Sequence, residues 1–428
     1  MSIPLDRLYN YLDDLNNCDI LIYRFFPHGS KKLEDLTLLQ PYNHCGPFEF
    51  AILPNMICHD QEPLNFDLYQ SLDVSEIKIN DNLRRMVPGF PDSPPFKEFA
   101  ESMPRFRLAL LTAFSLYDKI LLCHSEKNSK ELEKFSKDFI GVYYWAHAVI
   151  ARDWFRYANY DPGLQSRLDY NYDFLIYNRA WSGTREYRLK FSELLVKQQL
   201  QSNCLTSFSP VDNTHYTNHT FTNPSLATTT TNFEDLLPAN TYKPCASADY
   251  NNSDYNQCGI EVVLETLFDD TRHHLTEKTL RPIACGKPFI LASTSGSLQY
   301  LRDYGFETYG EFINETYDTI ADPVDRLQAI INEMHRIKCL SASQKTDLWN
   351  KLNQIAQRNK KLFFSDAWHQ KIINEYISNR DQALDECKKY FKGTWRTESR
   401  KILDSIGAVP PSDLTEQIRQ VLSEQDSV

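Results

Sequence analysis

Tyr172-Asp173-Phe174-Leu175-Ile176-Tyr177 is followed by the polar stretch Asn178-Arg179-Ala180-Trp181-Ser182-Gly183 and then by a helical pattern over 184–201. An apolar, aromatic and β-branched run of this length, closed by turn-forming residues, reads as a strand buried on both faces. The segment after it reads as a long amphipathic helix with Thr184 as its N-cap. Working outward, residues 18–26 (CDILIYRFF), 48–53, 119–123 (KILLC) and 140–144 (IGVYY) read as earlier strands, with helices over 106–117 and 127–138. Downstream come a strand or short helix at 261–267, a helix at 277–285, a strand at 287–292 (KPFILA) and helices at 297–304, 323–337, 343–361 and 367–391. Strands alternating with helices predict parallel sheets. The alternation starts twice, which predicts an α/β chain of two doubly wound, Rossmann-like domains facing a cleft. These are an N-terminal domain over 1–165 and a ligand-binding domain over 166–340, followed by a helical C-terminal region over 341–428. In such sheets ligands bind beyond the carboxyl ends of the strands. Residues 202–257, rich in Ser, Thr, Asn and Tyr and including Thr228-Thr229-Thr230-Thr231, read as a surface insertion in the second domain.

Composition narrows the classes. With 428 residues, 42% of them hydrophobic and 24% charged, the chain can bury one large core or two ordinary ones, which excludes wholesale disorder. No stretch approaches 18 consecutive apolar residues, and Met1-Ser2-Ile3-Pro4-Leu5-Asp6-Arg7 lacks a basic and then apolar leader, so a soluble, cytoplasmic protein without a membrane partner is expected. The 10 cysteines contain no Cys-x-x-Cys pair, which argues against a zinc ribbon, a thioredoxin motif or a disulfide framework. A net charge of −11 rules out a uniformly basic coat for nucleic acid, though not a local basic face. Only 13 glycines are present, too few for a fold built on repeated glycine-rich phosphate loops.

The segment richest in chemistry is Leu275-Thr276-Glu277-Lys278-Thr279-Leu280-Arg281-Pro282-Ile283-Ala284-Cys285-Gly286-Lys287-Pro288-Phe289-Ile290. Glu277 and Lys278 open a helix, where free N–H groups and the positive end of the dipole favour an anion. Lys278 added to that end makes a phosphate site, and Glu277, an acceptor only, suits a ribose diol. Read as plain structure, the same residues are a capped helix start with a surface ion pair.

This run resembles the donor-binding segment of fucosyltransferase-like glycosyltransferases of GT-B architecture, with a Thr-Glu-Lys helix start, a small-residue turn and a strand. Arg188-Leu189-Lys190-Phe191-Ser192-Glu193-Leu194-Leu195 is similar to the family's R-x-x-F-x-E-x-L helix and precedes the Glu-Lys segment, as in the family. The likeness covers residues 170–320, and the chain as a whole also resembles proteins of tailed bacteriophages, for which the compartment is the host cytoplasm. It implies a UDP- or GDP-linked nucleotide-diphosphate sugar as donor substrate, with Arg188 and Lys278 on the diphosphate and Glu277 on the ribose. This chain departs from the family in the insertion between the two motifs, and its first domain carries no alignable signature.

The residues agree with such chemistry. As a glycosidic bond to a diphosphate breaks, negative charge develops on the leaving group, and arginine and lysine clamps can stand in for a metal ion. No metal or other cofactor is therefore expected. Asn178 and Arg179 end the strand at 172–177, with Arg185 close behind, and Arg272 and His274 just precede the Glu-Lys pair, so all five are donor-contact candidates. An inverting transfer also needs a group to deprotonate the acceptor. Cys58-His59-Asp60-Gln61-Glu62-Pro63 groups three, with Asp60 the first choice, then Glu62 and His59. Cys123-His124-Ser125-Glu126-Lys127-Asn128 ends another strand and could line the same cleft, and Trp145-Ala146-His147 could shape an acceptor pocket.

Asp269-Asp270-Thr271-Arg272-His273-His274 contains metal-ligand residue types. Adjacent acids and adjacent histidines cannot all point one way on a regular element, however, so a metal-dependent transferase is the lesser reading. Near the C-terminus, Lys388, Lys389, Lys392, Arg396, Arg400 and Lys401 are interleaved with Tyr390, Phe391 and Trp395. Cations for phosphates and rings for bases make this the nucleic-acid candidate, with Trp395 as stacking platform. If it binds DNA, a hydroxymethylated base flipped from the duplex becomes a credible acceptor. A binding module for nucleotide or nucleic acid, without catalysis, is the alternative function.

Overall fold

The computed structural model describes residues 20–22, 56–59, 72–73, 76–77, 119–129, 132–133, 136, 139–145, 147–148, 151–152, 155–178, 180–208, 216, 219–230, 233–236 and 250–390. The chain is mixed α/β, and the described residues fall into two compact units. One runs from His147 to Lys371, and the other takes the described residues before and after that span.

The unit outside 147–371 holds a parallel four-stranded sheet. Strands β1 (Ile20–Ile22), β2 (Met56–His59), β5 (Ile120–His124) and β6 (Phe139–Tyr143) lie in the order β1-β2-β5-β6. The two-residue strands β3 (Leu72–Asp73) and β4 (Glu76–Ile77) pair separately and antiparallel. The expected strand at 48–53 and helix at 106–117 lie outside the described residues.

In the other unit, β7 (Tyr172–Asn178), helix α1 (Tyr187–Lys197), β8 (Cys204–Phe208), α2 (Asn252–Gln257), β9 (Cys258–Leu264), α3 (Glu277–Cys285), β10 (Phe289–Ala292) and α4 (Ser297–Asp303) follow in sequence. Helices α5 (Pro323–Lys338), α6 (Ala342–Phe363) and α7 (Asp366–Cys387) complete the described fold, and the residues of α7 from Ile372 onward belong to the first sheet's unit. The second sheet is parallel throughout, in the order β10-β9-β7-β8. Chain order runs outward from β7 to β8, then returns to the other side of β7 for β9 and β10. The direction of winding therefore reverses between β7 and β9, the point where such sheets open for a ligand. Successive residues of a strand face opposite sides. Leu175 and Ile176 are both buried, as are Val262 and Val263, so both faces are covered.

Two departures from the sequence pattern have physical causes. The helix expected from Thr184 begins at Tyr187, because Gly183 at φ 65° turns the chain and 183–185 form a single 3-10 turn. Near the start of the expected insertion, Cys204–Phe208 form strand β8, in register with Phe174 to Asn178. A five-residue strand containing Thr206 and Ser207 lacks the apolar run that identifies buried strands, although both side chains are buried.

The ends of α3 show how local sequence sets the frame. Thr276 caps it, its hydroxyl accepting from Lys278 N, and Gly286 at φ 66° ends it in the left-handed conformation that glycine adopts freely. Gly259 in β9 lets the Trp349 ring of α6 approach the strand, since a Cβ there would stand 2.9 Å from Trp349 Cη2.

Candidate functional site

The carboxyl ends of β7 and β9 meet at Glu265, the residue after β9, which is fully buried. Two carboxylates inside the run Gly259-Ile260-Glu261-Val262-Val263-Leu264-Glu265 need partners once buried. Glu261 finds Arg281 of α3 at 2.5 Å and the Tyr255 hydroxyl of α2 at 2.5 Å. Glu265 accepts from Thr276 N at 2.9 Å, Thr276 Oγ1 at 2.8 Å, Thr279 N at 3.2 Å and Thr279 Oγ1 at 2.5 Å. Its carboxylate thus clamps the first turn of α3 to the end of β9. Burial pushes this carboxyl up, but the Lys278 ammonium and the Thr279 and Thr276 donors outweigh burial and hold it below the usual carboxylate range.

The backbone carbonyl of Glu265 serves the other motif. Arg188 of α1 donates from Nη2 to Leu264 O at 2.6 Å and Glu265 O at 3.1 Å, and from Nη1 to Ala180 O at 2.5 Å. Tyr187 donates its hydroxyl to Glu265 O at 2.8 Å. Arg188 is buried and has no ion pair among the described residues, and burial lowers its guanidinium below its ordinary value. It therefore sets a buried positive charge behind the carboxyl ends of β7 and β9, beside the Glu265 carboxylate, while fastening the loop after β7. The two segments quoted from the sequence converge on one residue that sequence reasoning passed over. The available signal was an acid closing an apolar strand eleven residues before Thr276.

At the start of α3, Lys278 Nζ lies 3.0 Å from Glu277 Oε1, 3.1 Å from Thr276 Oγ1 and 3.4 Å from Thr266 Oγ1, with its side chain 19% exposed. The other oxygen of Glu277, Oε2, lies 3.3 Å from His147 Nε2. Burial pushes the Glu277 carboxyl up, but the Lys278 charge, followed by the contact with His147, holds it well below the usual range. His274 packs edge-on against the His147 ring, centroids 5.2 Å apart. Asn178, the last residue of β7, is buried, and neither its amide nitrogen nor its oxygen has a hydrogen-bond partner among the described residues. Thr294, two residues beyond β10, likewise has a buried hydroxyl without a partner. Native interiors rarely leave such groups unmet, so each asks for an explanation.

The remaining expected residues are placed as follows. Arg185 ends the turn before α1. Arg272 is paired with Asp270 at 2.6 Å, Asp269 accepts from Asn223 Nδ2 at 2.7 Å, and His273 Nε2 lies 2.9 Å from Ser295 O. Each of these three side chains thus has its own partner, and no group of three metal-ligand side chains occurs among the described residues. His59 is the last residue of β2, in register with His124 at the end of β5. Asp60, Glu62 and Arg179 lie outside the described residues, as do Lys392, Trp395, Arg396, Arg400 and Lys401. Lys388 opens a 3-10 turn over Lys388–Tyr390, and Lys389 is exposed.

The first sheet's unit carries a concavity of its own. A cavity of about 850 Å³ lies along the edge strand β6 and α7, lined by His124, Lys127, Tyr143, Glu375 and Asn379 among others. Asn379 Nδ2 donates to Tyr143 O at 2.9 Å, and the Lys127 ammonium lies 5.7 Å from the Tyr143 ring centroid. No helix among the described residues is long and apolar enough to cross a membrane.

No known protein family, curated protein or solved structure matches this chain.

Proposed function

We propose that this protein is a glycosyltransferase of GT-B type that takes its sugar from a nucleotide-diphosphate donor bound at the carboxyl ends of β7 and β9. The reading rests on the convergence at Glu265. One buried carboxylate takes up the Thr276 and Thr279 N–H groups and orders the first turn of α3, which sets the Lys278 ammonium at the positive end of the helix as the anion-binding group, and the adjoining carbonyl holds the buried cation Arg188 close behind. Lys278 is the direct partner of the diphosphate. Arg188 acts on it through charge and by fixing the loop that follows Asn178. The unmet amide of Asn178 supplies one donor and one acceptor to the ligand, and the Thr294 hydroxyl a further contact.

Positive charge fixed in a buried site stabilises the charge that develops on the departing diphosphate and needs no reorganisation as the bond breaks. This fits metal-independent, inverting transfer to a hydroxyl acceptor. A hydroxymethylated base in DNA is the acceptor favoured here, with the basic segment 388–401 as the DNA contact.

Thermal-shift titration with UDP, GDP and their sugar conjugates, with and without a chelator, tests the reading. A bound nucleotide raises the melting temperature by mass action. The expected result is a shift with one diphosphate nucleotide that survives chelation and is lost in Lys278→Ala. Absence of a shift with every nucleotide would remove the donor site, and a shift abolished by chelation would replace it with a metal-dependent one.

A further inference from the structure

We infer that His147, held by Glu277, is the group that takes the proton from the acceptor hydroxyl. The inference rests on the transferase reading above and assigns the base that reading requires.

His147 is 3% exposed, and its Nε2 stands 3.3 Å from Glu277 Oε2. Glu277 is ionised, because the Lys278 ammonium lies 3.0 Å from its other oxygen. An ionised carboxylate only accepts hydrogen bonds, so Nε2 is the nitrogen that carries the proton toward it. In the neutral ring the basic lone pair then belongs to Nδ1. That atom is buried and has no hydrogen-bond partner among the described residues. A buried acceptor left unmet is costly, a cost explained when a substrate group completes the pair. The titratable groups described against the ring are Glu277, Lys278 across that carboxylate, and His274, whose ring meets it edge-on.

A carboxylate that fixes one imidazole nitrogen and leaves the other as base is a recurrent arrangement for activating a hydroxyl. Here the acceptor oxygen forms a bond to the anomeric carbon as its proton passes to His147 Nδ1. The bond from that carbon to the diphosphate oxygen breaks, and its electron pair leaves with the diphosphate. The imidazolium so formed is stabilised by Glu277 and returns its proton to water when products leave. The Glu-Lys pair thereby has two tasks: Lys278 meets the leaving group, and Glu277 holds both Lys278 and the base.

His147→Gln keeps an N–H donor for Glu277 and removes the Nδ1 lone pair. The expected result is a kcat about 10²–10⁴-fold lower, loss of the acidic limb of the kcat profile, and an unchanged melting shift with the donor nucleotide. A kcat within about threefold of wild type would overturn the inference. In the full-length wild-type protein, ¹⁵N resonances of His147 should show a protonated Nε2 and a bare Nδ1, and Glu277→Gln should weaken that preference. A proton on Nδ1, or a ring doubly protonated at neutral pH, would overturn the inference even if His147→Gln failed to fold. If the wild type binds no nucleotide, the transferase reading fails by itself and the transfer step falls with it.

Discussion

Each buried carboxylate at the β9 end is answered by donors from another element, and Glu265 shows what such an answer is worth. Four donors of the first turn of α3 point at its carboxylate. Glu265→Ala leaves the buried N–H groups of Thr276 and Thr266 unmet, while Thr279 N keeps Thr276 O, and the expected loss of stability is on the order of 2–4 kcal/mol, read from urea unfolding. The nucleotide-dependent melting shift should vanish with it, because the anion-binding turn is no longer ordered. A Glu265→Ala protein of wild-type stability would show that the turn stands without the clamp. Arg188 differs in kind: its hydrogen bonds run to the carbonyls of Ala180, Leu264 and Glu265, with no direct ion pair among the described residues, an arrangement that stability alone does not favour over an apolar residue.

At the scale of elements, α1 works on two sides. Its buried face presents Arg188 to the sheet, while Glu186 and Glu193 secure the residues that follow β8. Glu186 accepts from Thr222 N at 2.9 Å and lies 2.8 Å from His219 Nε2, and Glu193 accepts from Thr229 N at 2.6 Å and from Lys190 Nζ at 2.8 Å. Trp181, Leu189, Tyr216 and Leu236 form a small core beneath the same residues. Polar Ser/Thr-rich sequence therefore packs as part of the unit. Burial pushes the Glu193 carboxyl up, but the Lys190 and Thr229 donors prevail and hold it at about 2, against an ordinary 4.5. A depressed carboxyl contributes stability above its unfolded value and loses it as the pH falls. The melting temperature of the wild type should accordingly drop more steeply than that of Glu193→Gln as the pH goes from 4.5 toward 2. Parallel curves for the two proteins would remove Glu193 from the account.

For the whole molecule, the two units make distinguishable predictions. If the donor binds at the β7 and β9 ends, hydrogen exchange with saturating nucleotide should slow at the backbone amides of residues 276–280 and 265–266, and stay unchanged over β5 and β6. Protection centred on β6 and α7 would move the ligand to the cavity that Tyr143 and Asn379 line.

The parallel strands and the helices between them were legible because an apolar run closed by turn residues, then an amphipathic helix, admits few arrangements; β7, α3, β10 and α5 stand within a few residues of where the pattern puts them. The Thr-Glu-Lys start of α3 was legible for the same reason, since capping and the helix dipole are local effects. Strand β8 was not, because Thr206 and Ser207 are buried by what packs over them rather than by their own polarity. The convergence at Glu265 and the contact of His147 with Glu277 were equally hidden. Those partners lie 11 to 130 residues apart in the chain, and only the packing of β9, α1, α3 and the segment at 147 brings their atoms within hydrogen-bonding reach. Local periodicity thus determined the kinds of element and their order, whereas the pairing of buried charges was decided by tertiary structure, because a buried ion takes whichever partner the completed fold sets beside it.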